Sequence, residues 1–268
     1  MPIHDELGMR MKNNYECRAR TYLTRRTPVA IRIDGKAFHT FTRGLKRPFD
    51  DIPITSMQQT MKKLCENIQG CVFAYTQSDE ITLILQDYAT LTTDAWFDYE
   101  VQKITSISAS MATLYFNQFF AKNVDYWTDN YFEAWHHSDD DDKYLEALDK
   151  CCKVGAMFDS RCFNVPQEEV CNLIYWRQLD ATRNSIQMVG QAFFSHSQLQ
   201  GKSCNNIQDM LMDEYKINWN NYPTCKKRGT ACYRDNEGNW VIDKNMPILK
   251  GDDREYVEKH IYFSINNT

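Results

Sequence analysis

The sequence predicts an α+β fold in which an antiparallel sheet of the split βαβ type carries helices on one face and has helical and hairpin additions toward the C-terminus. Two observations lead to this prediction. Strand and helix patterns follow one another in the order strand, helix, hairpin, helix, strand. The chain has 268 residues, of which 43% are hydrophobic, and this is enough for one large domain or two small ones.

The elements of the first half follow from the spacing of apolar residues. Residues 28–33 predict a buried strand that ends at the turn signal Asp34-Gly35. Residues 54–68 have helical spacing, and Gly70 is placed to end that helix. Residues 71–76 and 81–86 predict the two strands of a hairpin, and residues 101–119 predict a long amphipathic helix.

The second half has weaker patterns. The acidic run at 139–143 is the best candidate for a domain boundary or an exposed loop, and His136 and His137 beside it favour a solvated loop over a metal site. We therefore divide the chain into a catalytic part at 1–138 and a remainder at 139–268 that belongs to the same compact unit. Residues 154–158 predict a strand, Pro166 starts a helix that continues past Trp176, residues 207–215 predict a short helix, and residues 230–234 and 240–243 predict a second hairpin.

Composition limits the class of protein. No signal peptide opens the sequence, its ten cysteines lack paired CxxC spacing, and no apolar run is long enough to span a bilayer, so we expect a reduced, cytoplasmic protein. The net charge is −5, which argues against binding nucleic acid through bulk positive charge. Basic residues nevertheless cluster at 18–26, 43–47 and 226–228, and such patches fit a polyanion held on one face, although any one of them alone is more often ordinary surface charge.

Two acids are placed to meet at one edge of the predicted sheet. Asp34 ends the first strand, and Asp79 lies at the tip of the hairpin that would sit beside it. Two carboxylates that leave other positions to water and phosphate oxygens suit Mg²⁺, and Gly35 lets the backbone approach a metal or a triphosphate closely. Lys36 adds charge to a backbone that could cradle phosphates. By spacing alone, however, two ordinary turn acids remain the better interpretation.

Longer motifs add a resemblance to this interpretation. The segments Arg32-Ile-Asp-Gly-Lys-Ala-Phe-His-Thr-Phe41 and Tyr75-Thr-Gln-Ser-Asp-Glu80 closely resemble the two signature motifs of the tRNA-His guanylyltransferase family. The similarity continues, in the family's order, through residues 103–110, 158–161, 175–178 and 228–230. It therefore covers most of the chain.

The resemblance implies a palm-like sheet, two Mg²⁺ ions, ATP and GTP as substrates, and addition of nucleotides to the 5′ end of tRNA in the 3′-to-5′ direction. It implies Asp34, Gly35 and Asp79 as metal ligands, with Asp34, Asp79 and Glu80 as the catalytic acids. The nucleotide would contact Arg32, Asp34, Gly35, Lys36, Ala37, Phe38, His39, Ser78, Asp79, Lys103 and Arg161. The tRNA would contact Arg25, Arg26, Asn184, Lys227 and Arg228. The family usually forms a dimer of dimers, so a homotetramer is implied.

One departure from the family pattern bears on the substrate. Eukaryotic members carry His-Ile-Asn-Asn-Leu-Tyr-Asn where this chain has residues 182–188, Thr-Arg-Asn-Ser-Ile-Gln-Met, which keep Asn184 but lack the histidine. This is similar to the bacterial and archaeal guanylyltransferase-like branch, whose members prefer to restore missing 5′ nucleotides by base-paired templating. Two alternatives remain open: a nucleotidyl or diguanylate cyclase-like enzyme, and a non-catalytic RNA-binding protein.

Overall fold

A six-stranded antiparallel sheet forms the centre of the computed structural model, which describes residues 6–132 and 139–262. Its strands are β1 Val29–Gly35, β2 Cys71–Gln77, β3 Glu80–Leu85, β4 Phe158–Asn164, β5 Thr230–Arg234 and β6 Trp240–Asp243. They lie side by side in the order β4-β1-β3-β2-β5-β6, and each neighbouring pair is antiparallel. The predicted α+β fold with an antiparallel sheet is confirmed.

Helices connect and cover these strands. They are α1 Glu6–Asn14, α2 Phe38–Phe41, α3 Asp51–Asn67, α4 Val101–Trp127, α5 Asp139–Val154, α6 Val170–Phe193, α7 His196–Leu199, α8 Cys204–Tyr215, α9 Thr224–Arg228 and α10 Glu255–Glu258. Among the helices of the described ranges, none combines the length and the apolar character that crossing a membrane requires.

The two faces of the sheet are covered by different parts of the chain. Ile31 and Ile33 of β1 point to one face, where they join the main core with α3 and α4. Because side chains alternate along a strand, Arg32 and Asp34 point to the other face. Its apolar part is covered by the beginning of α6 and the C-terminal segment around α10, while its polar part lies near the end of β1.

Most elements occur where their patterns predict them. The first hairpin has a two-residue loop, Ser78-Asp79, because Gln77 pairs with Glu80. The helix predicted at 54–68 is α3, which begins earlier, where the Asp50 carboxylate caps it by accepting a hydrogen bond from the backbone NH of Ile52 at 2.9 Å. The long helix, the helix past Trp176 and the second hairpin are present as α4, α6 and the β5–β6 pair.

Two local predictions are wrong. Residues 139–143 are the first turn of α5 and not a loop, since aspartates in a first turn complement the helix dipole. Residues 154–158 are not a strand, because α5 continues to Val154 and the strand starts at Phe158. Polar residues dominate β4 because it is the edge strand of the sheet, and they hide its pattern. The loop expected at His136 and His137 lies outside the described residues.

Gly70 offers a test of the connection between α3 and the hairpin. Its φ is +78°, and a Cβ atom there would lie 2.7 Å from the backbone oxygen of Gln86. Gly238 also has a positive φ of +84° but has nothing within 4 Å of such an atom. In urea unfolding, we expect Gly238→Ala to cost about 1–2 kcal/mol for the backbone conformation alone. Gly70→Ala should cost clearly more, because a backbone carbonyl in a packed sheet cannot move aside; equal losses would contradict this packing.

Candidate active site

The end of β1 and the loop of the first hairpin meet at one edge of the sheet. Asp34 lies opposite Glu80 of β3 in the strand register, and the backbone NH of Gly35 donates a hydrogen bond to the carbonyl oxygen of Asp79 at 3.1 Å. Asp34 and Asp79, which lie 45 positions apart in the sequence, are therefore brought together. This is the convergence that the order of the elements predicts.

Gly35 makes this close approach possible. A Cβ atom on Gly35 would lie 2.8 Å from the Cβ of Asp79 and 2.8 Å from Cδ2 of Phe38. Any larger residue would push the hairpin loop away from the strand. Because Gly35 has no side chain, the Asp79 side chain can lie directly against the backbone of β1.

Burial and neighbouring negative charges raise the pKa values of both acids. The pKa of the Asp34 carboxyl is raised by burial first and then by the negative charges of Glu80 and Asp159, while Arg161 and Arg32 oppose the shift. The pKa of Asp79 is raised mainly by burial, with a further contribution from Asp34, against a hydrogen bond with Ser78 that lowers it. Ionising either acid is therefore unfavourable in this environment, and a bound cation would offset that cost.

The donor set at this edge fits Mg²⁺. Two carboxylates and the carbonyl oxygen of Gly35 are hard oxygen ligands, which Mg²⁺ prefers. Within the described ranges, no group of three or more His, Cys, Asp or Glu side chains is assembled to hold a metal. A metal here would take its remaining ligands from water and phosphate oxygens, as is usual for Mg²⁺ with nucleotides.

Glu80, the third acid, is paired with arginines. Its Oε2 lies 3.0 Å from Nη2 of Arg32, and its Oε1 lies 2.7 Å from Nε of Arg177 on α6. Nη2 of Arg177 also lies 2.7 Å from Oδ2 of Asp180. All these side chains are largely buried. Glu80 therefore ties the sheet to α6, whereas Asp34 and Asp79 keep their charge for another partner.

A cavity of about 480 Å³ opens next to Asp79, a volume in the range of small-molecule sites, and Asp34 is not among the residues that line it. Several predicted nucleotide contacts line it: Gly35, Ala37, Phe38, His39, Ser78 and Asp79. The basic residues Arg43, Lys46 and Arg47 line it as well. Met188 and Gln191 of α6 also line it, and no local pattern predicts this, because only the tertiary fold brings α6 to this place.

The other predicted nucleotide contacts do not line this cavity; they are Arg32, Asp34, Lys36, Lys103 and Arg161. Arg161 of β4 lies opposite Arg32 in the register and pairs with Asp159 at 2.9 Å. Lys36 is exposed, and its backbone NH donates to the carbonyl of Met157 at 2.8 Å. Lys103 of α4 pairs with Glu100, at 3.6 Å, and lies over the ring of Phe97. Among the described contacts, none joins Lys103 to Asp34 or Asp79.

Arg25 and Arg26, both predicted to contact tRNA, have different environments. The Arg25 side chain pairs with the fully buried Asp87 at 2.5 Å and with Asp98 at 2.9 Å, and it donates to the carbonyl of Thr93. The side chain of Arg26 is exposed, and only its backbone NH bonds to Asp87. Arg25 therefore stabilises the fold through its ion pairs, whereas the charged group of Arg26 lies in solvent.

Lys227, Arg228 and Asn184 lie close to one another around α6. Lys227 is buried: its Nζ donates to the carbonyl of Asn220 at 2.5 Å and lies over the ring of Trp219, and burial lowers the pKa of its ammonium. Arg228 is partly exposed, while its backbone carbonyl accepts a hydrogen bond from the Tyr75 hydroxyl. The Asn184 amide donates to Asp180 at 3.3 Å. Lys227 thus belongs to the interior, and Arg228 and Asn184 reach the surface.

Comparisons with known proteins agree with the geometry. The family model described as tRNAHis guanylyltransferase matches residues 9–166, more than half of the chain. A solved bacterial tRNA(His) guanylyltransferase-like protein in complex with ATP is 42% identical with a TM-score of 0.79, covering 96% of this chain and 100% of that one. A second such protein, in complex with GTP, is 36% identical with a TM-score of 0.75 and covers 97% and 100%. The tRNA(His) guanylyltransferase of Saccharomyces cerevisiae is 26% identical over 223 residues, 78% of this chain and 83% of that protein.

The raised pKa of Asp79 predicts that its charge destabilises the metal-free protein. An acid whose pKa rises on folding costs stability once the pH exceeds its ordinary pKa of 3.8, and the cost is complete above the raised value. Asp79→Asn should therefore raise the melting temperature at pH 7 in EDTA, by less as the pH falls toward 4, and remove the stabilisation that Mg²⁺ gives. The exposed Asp149→Asn is the control. A lower melting temperature for Asp79→Asn in EDTA would contradict the claim that the Asp79 charge destabilises the metal-free protein.

The pairing of Arg25 predicts opposite roles for two neighbouring arginines. Arg25→Ala leaves the Asp87 carboxylate buried without its cation, so we expect it to lower the free energy of unfolding by about 1–3 kcal/mol. Arg26→Ala removes an exposed side chain and should change it by no more than about 0.5 kcal/mol. Urea unfolding of both variants measures the difference. Similar losses for both variants would refute the structural role of Arg25.

Proposed function

Because the chain belongs to the tRNA-His guanylyltransferase family, we propose that it is a Mg²⁺-dependent nucleotidyltransferase that adds nucleotides to the 5′ end of tRNA in the 3′-to-5′ direction. The observation that carries this proposal is the meeting of Asp34 and Asp79 at the edge of the sheet, where Asp79 lines the 480 Å³ cavity. Similar proteins solved in complex with ATP and with GTP support nucleoside triphosphates as its occupants.

The proposed reaction has two stages. The 5′-monophosphate of the tRNA attacks the α-phosphorus of ATP, which gives an adenylylated 5′ end and releases pyrophosphate. The 3′-hydroxyl of an incoming nucleotide then attacks the activated 5′ phosphorus, forms the new phosphodiester and releases AMP. Both stages are phosphoryl transfers, which need positioning and charge neutralisation more than a nucleophilic side chain. The absence of a Ser, Cys or Lys nucleophile from this scheme is therefore chemically consistent.

The residues at the sheet edge have separate tasks in this scheme. Mg²⁺, held by Asp34, Asp79 and the Gly35 carbonyl, would supply charge neutralisation to the phosphates. Ala37, Phe38, His39 and Ser78 line the cavity and would hold the nucleotide. The left-handed backbone of Ala37, with φ 50°, turns the chain sharply between the strand end and α2.

Cations outside the cavity would hold the other phosphates. Arg32 and Arg161 lie side by side on β1 and β4, on the same face as Asp34. Glu80 supports this arrangement because it fixes Arg32. Lys36 and Lys103 are exposed at the surface and would meet phosphates only when RNA or a second nucleotide is bound.

For the tRNA itself, we assign contacts to Arg26, Arg228 and Asn184, which reach the surface. Arg25 and Lys227 support this surface from within, through their contacts with Asp87 and Asn220. The segment 182–188 lies on α6, and it lacks the histidine of the eukaryotic motif. We infer that templated repair of incomplete 5′ ends is favoured over obligate guanylate addition.

The proposal includes a homotetramer arranged as a dimer of dimers. Exposed apolar side chains along α4 and before β4 support contacts between copies, since Leu114 is 54% exposed and Met157 is 58% exposed. Mass measurement in solution tests this assembly.

The activity is tested with two RNAs that carry a 5′-monophosphate: a tRNA-His lacking its first nucleotide, and the intact tRNA. Each is incubated with ATP, Mg²⁺ and one further NTP in turn, and the 5′ ends are sequenced. We expect addition to the shortened tRNA of the nucleotide that pairs with the opposite base. Asp34→Asn should lower the rate at least about 10³-fold, because metal-assisted charge stabilisation is worth several kcal/mol.

Asp149→Asn, on the exposed side of α5, is the matched control and should keep full activity. Incubation with GTP alone should yield no cyclic nucleotide. Cyclic product, or undiminished addition by Asp34→Asn, would refute the proposed function.

A further inference from the structure

Trp176 is a large aromatic residue whose position the packing of α6 does not explain. The buried side of that helix consists of residues such as Ile174, Gln178 and Ala181, whereas the Trp176 side chain is 51% exposed. Leu179 lies next to it on the helix and is 50% exposed. Trp176 and Leu179 together therefore present apolar surface on the open side of α6 that is free to contact a ligand.

The surroundings of Trp176 are cationic. The guanidinium carbon of Arg177 lies 4.4 Å from the centre of the indole ring, and that of Arg32 lies 5.5 Å from it. Arg161, which is 55% exposed, lies opposite Arg32 on the edge strand β4. Two acids near the indole are paired: Asp159 with Arg161, and Asp180 with Arg177 and Arg183. An aromatic face among arginines is the combination that binds single-stranded nucleic acid.

Trp176 is also connected to the candidate active site. The guanidinium of Arg32 contacts the indole and pairs with Glu80, and Glu80 lies opposite Asp34 in the strand register. The indole therefore lies on the same face of the sheet as the Asp34 side chain, two side chains away from it. A phosphate bound at Asp34 would therefore lie on the same side of the sheet as the indole.

We propose that Trp176, which is 51% exposed, is a stacking platform for a nucleobase at the 5′ end of the tRNA acceptor strand. The exposed Arg161 neutralises a phosphate beside that base. This proposal rests on the proposed function, and it gives the 5′ end of the RNA a binding residue separate from the nucleotide cavity. The platform is independent of base identity, since every base has a π-face.

The test compares four variants of the full chain: Trp176→Ala, Trp176→Leu, Trp176→Phe and Leu179→Ala. Dissociation constants are measured for 5′-monophosphorylated tRNA across a series of salt concentrations, and separately for ATP. Trp176→Leu and Trp176→Ala should weaken tRNA binding about tenfold or more, and Trp176→Phe should weaken it less because the ring remains. ATP binding should stay within about twofold. Because the indole is uncharged, the slope of affinity against salt should not change.

Leu179→Ala separates this proposal from a contact between proteins. It truncates an equally exposed apolar side chain on the same helix and should leave tRNA affinity within about twofold. Equal losses in Leu179→Ala and Trp176→Leu, together with a change of mass in solution, would show an interface between copies and overturn the platform. Wild-type affinity in Trp176→Leu would overturn it as well, since the leucine keeps apolar bulk without a π-face.

Failure of the platform is distinguishable from failure of the proposed function. The wild-type chain's ability to add nucleotides is measured in the reaction with shortened tRNA, whereas the Trp176 comparison measures binding. If the wild type adds nucleotides and Trp176→Leu binds tRNA normally, only the platform is refuted. In turnover, a platform predicts a raised KM for tRNA with an unchanged KM for ATP.

Discussion

The structure depends on holding two like charges together at the edge of a sheet. Asp34 and Asp79 are partly buried near other carboxylates, which raises the pKa of each, so an ionised carboxylate is unfavourable at either position. The register between β1 and β3 imposes these positions. Ile31 and Ile33 must face the core formed with α3 and α4, and a slip by one residue would expose them and turn Asp34 into that core. Hydrophobic burial on one face of the sheet thus fixes the position of charge on the other.

Glu80 differs from the other two acids because its charge is used within the fold and is not left for a ligand. Glu80 lies opposite Asp34, yet both its carboxylate oxygens are near arginines, one from β1 and one from α6. Without these cations, three carboxylates would share one edge, and the cost of ionising them would be larger still. Because Arg32 and Arg177 satisfy Glu80, the demand for an external cation is confined to Asp34 and Asp79. The same two arginines contact the ring of Trp176, so the ion pairs of Glu80 also position the surface around Trp176.

The sequence predicted the parts of the molecule that rest on local patterns. β1, the first hairpin, α3, α4 and the second hairpin have clear apolar spacing, and the convergence of Asp34 and Asp79 follows from their order. The edge strand β4 could not be recognised, because its exposure gives it polar residues. The same limit applies to single charges: nothing local distinguishes Arg25 or Lys227 from a surface cation. Only the fold reveals Asp87 under one and the Asn220 carbonyl beside the other.

Through α6, the C-terminal half of the chain forms part of the candidate active site. The first turns of α6 pack on the apolar part of the sheet face, Arg177 reaches Glu80, and Met188 and Gln191 line the cavity. This single helix of 24 residues therefore contacts Glu80 near its beginning and lines the cavity near its end. A continuous helix that reaches both places sets the distance between them. It follows that substitutions in α6 which move its axis would disturb the cavity and the Glu80 network together, even when they touch neither Asp34 nor Asp79.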